Sequence, residues 1–152
     1  MSRDLLEHSH STRHTVFELH NHQRLAAWKE FRATLETSDR PLEDVSELWA
    51  AAPFVSPYID PYTPTSWPDP WHLILDSKWD DLAISLGMLY TLQLTDRFCE
   101  SIFQIAMVKL PYEKHNRYPL IVNNDKVLNF EYKSVVGLDS IRNAGFSIIW
   151  SR

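Results

Sequence analysis

The sequence predicts an α+β fold in which helices come first and an antiparallel sheet follows. Three observations carry that expectation. Apolar residues recur every three or four positions through the first half of the chain. The last third changes to short β-rich runs separated by turn residues. Between the halves lies a proline-rich segment that fits neither periodicity. The chain has 152 residues, 44% of them hydrophobic and 12% aromatic, which suits one domain with its own core and excludes a disordered chain.

Residues 1–20 are polar and rich in His, with an apolar island at Val16-Phe17-Glu18-Leu19, and read as an arm or short helix. From Asn21, a plausible cap, Leu25, Trp28, Phe31 or Arg32, and Leu35 mark one helical face, which ends at Thr37-Ser38-Asp39. Ser38 or Asp39 then caps a second helix with Pro41 in its first turn and Leu42, Val45, Leu48 and Trp49 on its apolar face. Residues 21–52 thus read as a helical hairpin.

Six of the nine prolines fall at positions 53, 57, 61, 64, 68 and 70. Proline lacks a backbone donor and fixes φ, so this stretch is neither a helix nor a central strand. It also carries Phe54, Tyr58, Ile59, Tyr62, Trp67 and Trp71, too apolar for a solvated linker. Residues 53–71 therefore read as an ordered, stiff connector.

Asp69 and Pro70 open a short helix through Leu75. From Trp79 to Leu94 the sequence is apolar on nearly every face, the mark of a central buried helix. Asp80 and Asp81 stand at its start, where carboxylates complement the helix dipole. Strands are expected at Ile102–Leu110, at Tyr118–Val122 and Val127–Tyr132 around Asn123-Asn124-Asp125-Lys126, and at Phe146–Trp150 after Asn143-Ala144-Gly145. Residues 72–152 are thus a helix plus an antiparallel sheet, and 21–152 form a single domain.

Composition narrows the function. Three glycines rule out reliance on glycine-rich phosphate loops, and a net charge of −5 argues against duplex DNA. One cysteine, Cys99, excludes an intrachain disulfide and a cysteine metal site; its acidic neighbours Asp96 and Glu100 oppose thiolate formation. Five of the seven histidines (His8, His10, His14, His20 and His22) crowd the start of the chain without a zinc-site spacing. No metal or cofactor is expected. The absence of a signal-like or membrane-spanning apolar run points to a soluble chain made inside the cell.

Two resemblances extend this reading. The Pro-Trp helix, then Lys78-Trp79-Asp80-Asp81-Leu82-Ala83 opening a buried helix, then strands, resembles the transglutaminase-like, papain-related cysteine hydrolase core, whose central helix begins Cys-Asp-Asp-Phe-Ala. It covers roughly residues 69–132. The resemblance implies a nucleophile position occupied by Trp79, a base position near His115, and an orienting carboxylate position near Asn129 or Glu131. An indole forms no acyl-enzyme, so such a fold here is a pseudoenzyme. The second runs through Ala27-Trp28-Lys29-Glu30-Phe31-Arg32, Ala52-Pro53-Phe54-Val55, Ser66-Trp67-Pro68-Asp69-Pro70-Trp71 and Leu86-Gly87-Met88-Leu89-Tyr90. This line is similar to small uncharacterised proteins of large tailed bacteriophages, which carry no assigned chemistry.

The function expected is therefore a non-catalytic, phage-encoded structural or interaction protein, a head, neck or tail component docking on other phage proteins, with a homo-oligomer among the options. Its place would be the host cytoplasm during assembly and then the virion. Tyr58, Tyr62, Trp67 and Trp71 are the expected contact residues, with Tyr62 and Trp67 the most exposed. One alternative is a hydrolase using His115 with Cys99, Asp80 or Asp81. Another is a host-factor or single-strand binder using Lys109, Lys114, His115 and Arg117 beside Tyr112 and Tyr118.

Overall fold

The computed structural model describes residues 16–152 and has the expected α+β architecture. A 3-10 turn at Val16–Glu18 leads into α1 (Asn21–Leu35) and α2 (Pro41–Ala50). After a 3-10 turn at Pro64–Ser66 come α3 (Pro70–Ile74) and α4 (Asp81–Gln93). The sheet elements are β1 (Phe103–Met107), β2 (Leu120–Val122), β3 (Lys126–Leu128), β4 (Val136–Gly137) and β5 (Ser147–Ser151), with α5 (Asp139–Arg142) before the last strand.

All pairings are antiparallel and the strand order is β4-β3-β2-β1-β5. The β2–β3 turn works because Asn123 and Asn124 both take left-handed backbone angles, φ 52° and 54°, which asparagine tolerates. Gly145, at φ 77°, makes the turn into β5. The sheet is covered on both faces, which explains the unbroken apolar run Leu120-Ile121-Val122. Leu120 and Val122 join the helical core with Phe103 and Ile105, whereas Ile121 points to a smaller cluster with Val108, Val127 and Ile141. The short strand β4 and helix α5 escape the sequence reading because two and four residues are too few to establish a period.

α4 is the central helix, and α1 and α2 meet through it. Thr91 sits on its buried face, where the Thr91 hydroxyl accepts from the Trp28 and Trp49 indoles at 3.0 Å each and donates to the Gly87 carbonyl. Gly87 is obligatory here: a Cβ would lie 2.3 Å from the Trp49 ring.

Several boundaries differ from expectation. Val16 and Phe17 are buried, with Phe17 edge-on to Trp49 and Trp79 at 5.0 Å each, so the packed chain begins before the expected arm ends at residue 20. His20, not Asn21, caps α1, and Arg40 rather than Ser38 or Asp39 caps α2, neither with a side-chain bond. Ser38 instead accepts from the Arg40 backbone and bonds the Asp44 carboxylate, acting two residues before the cap. The expected run Val127–Tyr132 ends as a strand at Leu128, because Asn129 turns to φ 60°.

Candidate functional site

The connector is ordered by its neighbours. Trp79 donates through its backbone N–H to Pro53 and accepts from Val55, making an isolated parallel bridge. One oxygen of the buried Asp80 carboxylate caps α4 by accepting from Ala83 N–H at 2.7 Å. The other accepts from Tyr58 and Ile59 N–H at 2.8 and 2.9 Å. A single side chain thus fixes both the helix start and the connector. Burial, then the Asp76 and Asp80 charges, push the Tyr58 phenol well above its usual range.

Of the expected contact residues, Tyr62 is 71% exposed, and Tyr58 and Trp71 are about half exposed. Trp67 differs: it is partly buried, donates to the Asp60 carbonyl and lies against Trp150. Its indole braces the loop from below. Trp71 stands edge-on to Trp28, with the Arg32 guanidinium over both rings. His72 is exposed and bonds Asp69, the α3 cap.

Trp79 is fully buried and donates from its indole to Leu73, facing the core instead of a cleft. His115, Glu131, Asn129 and Asp81, by contrast, line one cleft of about 650 Å³ beside the first turn of α4. Its floor holds Ile84 and Met88 of α4 and Ala50 of α2; Phe54 and Pro57 of the connector edge it on one side. The segments 112–117 and 129–133 supply the rest of the wall. Cys99 is exposed beyond the other end of α4, roughly 20 Å along the helix, and does not line the cleft. The thiol and His115 are therefore not brought together. Of the basic and aromatic set, Tyr112, Lys114, His115 and Arg117 line the cleft, while Lys109 does not and Tyr118 is buried.

The polar wall is built on α4. Asp81 accepts from Tyr118 N–H at 2.6 Å and lies 3.6 Å from the Arg117 guanidinium. Desolvation nevertheless holds its carboxyl above the ordinary value, because burial outweighs that bond and the Arg117 charge. Asn129 donates to the Asp81 carbonyl and the Ser85 hydroxyl, and Ser85 in turn bonds the Tyr118 carbonyl. Arg117 also reaches Glu113 at 3.5 Å and the Phe130 carbonyl at 2.8 Å.

Arg24 went unread in the sequence, where it looks like any solvated helix charge. It is 7% exposed and donates to the carbonyls of Phe17, Leu19, Ile74 and Asp76, tying the first turn to the end of α3. Burial lowers its pKa from the usual value.

Among the described residues no group of three His, Cys, Asp or Glu is placed to hold a metal ion, and no helix is long and apolar enough to cross a membrane. His8, His10 and His14 lie outside the described residues. Compared with known proteins, the chain matches no family model, no curated protein and no solved structure.

Proposed function

We propose that this chain is a non-catalytic docking protein, in keeping with its resemblance to small phage proteins, that seats on other phage proteins in the particle. One observation carries the reading: the connector holds Phe54, Tyr58 and Tyr62 at 65%, 51% and 71% exposure on a backbone fixed from beneath by Asp80. Large apolar rings left in water on a stiff segment lose little conformational entropy on docking, and tyrosine is enriched among residues that dominate binding energy. Trp71, half exposed beside Arg32, extends the aromatic surface along α3. The transglutaminase-like likeness fits the same reading as a pseudoenzyme, with a buried indole where that family has its thiol. A homo-oligomer within a symmetric particle is compatible with this surface.

The test is particle composition. Mass spectrometry of purified virions detects the chain at defined copy number if the reading holds. Tyr62→Ala, a surface change, then lowers incorporation about tenfold, the loss of one contact worth roughly 1.4 kcal/mol. Absence from virions, or unchanged incorporation of a Tyr58→Ala/Tyr62→Ala double variant, overturns it.

A further inference from the structure

We infer that the β5 edge is a self-association surface, on which two copies of this chain pair their β5 strands antiparallel about a two-fold axis and continue one sheet across both molecules. The inference goes beyond the docking reading, because it uses the sheet edge and not the connector rings.

The two ends of the sheet are built differently. β4, at one end, is two residues long, and the next N–H, that of Leu138, is already bonded to the Asp125 carbonyl. So short an edge offers little template for another strand. β5, at the other end, runs five residues and pairs on one side only, with β1. Phe103 and Arg152 exchange both backbone bonds at 2.8 Å, and Trp150 stands opposite Ile105. Ser151, between Trp150 and Arg152, therefore turns its N–H and C=O away from the sheet. No turn or loop among the described residues reaches these groups. The connector lies on the helical face of the sheet, where Trp67 meets Trp150, and sends no hydrogen bond to the β5 backbone. Ser147, Ile148 and Ser151 are exposed, so the edge is open to a strand.

The composition of the edge selects its own copy as occupant. From Asn143 through Ser151 no residue is charged and none is proline, so the lysines, inward charges and prolines that keep edge strands apart are missing. A bulge is present: the register shift opposite Ile105 and Ala106 makes Ile149 the extra residue. It serves the core, since Ile149 and Trp150 both pack against the helical cluster. Ser147-Ile148-Ile149-Trp150-Ser151 has a hydroxyl at each end and three large apolar residues between, so the reversed strand presents the same classes in the same order. Laid antiparallel on itself, it sets hydroxyls beside hydroxyls and apolar side chains beside apolar ones. The two Arg152 guanidinium groups then stand at opposite ends of the pair, where they do not repel. That self-complementarity is what an isologous two-fold contact requires. A foreign strand finds no charge on this edge to select it.

Sedimentation equilibrium on the full-length protein is the test. The expected result is a dimer with a dissociation constant of about 10 μM or tighter, and a Ser151 amide that exchanges more slowly at high protein concentration than at low. Ser151→Pro removes an outward donor and leaves the pairing of Trp150 and Arg152 with β1 in place, giving up a 3.5 Å contact from the Gln104 amide. Ile148→Lys puts a charge on the edge at a position already 40% exposed. Each variant weakens the dimer at least about tenfold while circular dichroism matches the wild type, and Tyr62→Ala leaves the dimer unchanged. If Ser151→Pro fails to fold, Ile148→Lys decides alone. A monomer at about tenfold above that concentration, open-ended polymers in place of a dimer, or a dimer indifferent to these edge substitutions overturns the inference. Virion composition separates it from the docking reading. A dimer in solution with no chain in virions sinks that reading and keeps this one; an incorporated chain that is monomeric in solution does the reverse.

Discussion

Thr91 shows how much rests on one small polar residue. A hydroxyl has one donor and two acceptor sites, and here all are filled: two indole N–H groups from different helices and the Gly87 carbonyl. Thr91→Val keeps the volume and strands two buried donors, so we expect a loss of about 3 kcal/mol, read by urea denaturation. Thr91→Ser keeps the hydroxyl and loses only a methyl group, with an expected cost of about 1 kcal/mol. Little of this was visible in the sequence. Thr91 reads as one more residue in an apolar helix, because its partners Trp28 and Trp49 are 63 and 42 positions away. The single cysteine, readable at once as a missing disulfide, needed the structure to show that its thiol stands apart from His115.

Elements were legible where the pattern was long or the turn chemistry specific. α1 follows from periodicity, α3 from its Asp69–Pro70 start and α4 from its apolar run behind Asp80, and the Asn-Asn turn places β2 against β3. The connector was legible only as a negative, since proline says what a segment cannot be. What it is depends on Asp80, which a sequence reading takes as a dipole-complementing cap; the cap is real, but the same carboxylate also holds Tyr58 and Ile59. Asp80→Ala removes a cap and leaves two connector N–H groups without their acceptor. We expect about 2–3 kcal/mol of destabilisation and faster proteolytic cutting within residues 54–63 than elsewhere. A connector equally resistant in the variant would show that the prolines alone hold it.

Across the whole molecule, the cleft exists because four separate segments meet beside the first turn of α4. Its most buried titratable group, Asp81, couples that meeting to pH. The folded-state pKa of Asp81 is raised, so the folded protein holds its proton more tightly than the unfolded chain. Stability from this group is greatest below the ordinary carboxylate value of about 4, falls as pH rises through the raised folded value, and is flat above it. Asp60, whose pKa is lowered by the Thr63 hydroxyl and the Tyr62 N–H, and Asp69, whose pKa is lowered by the His72 N–H and ring, act with the opposite sign. The comparison is therefore between variants. Asp81→Asn keeps an acceptor for Tyr118 N–H and should lose the Asp81 part of the decline, so its stability relative to wild type rises with pH across that window. A pH-independent difference in denaturation midpoint would contradict the assignment.

The amino-acid sequence by itself determined the α+β class, the order of the longer helices and strands, the proline-set irregularity of residues 53–71 and the burial of α4. Each depends on local conformational preference or on a period read over neighbouring residues. Only the tertiary structure decided that Phe17 belongs to the core, that Trp67 braces instead of protruding, and that His115, Glu131 and Asp81 share a wall while Trp79 turns inward. Those outcomes depend on contacts between residues distant in the chain, where burial and hydrogen bonding, not local preference, set which side chains face water.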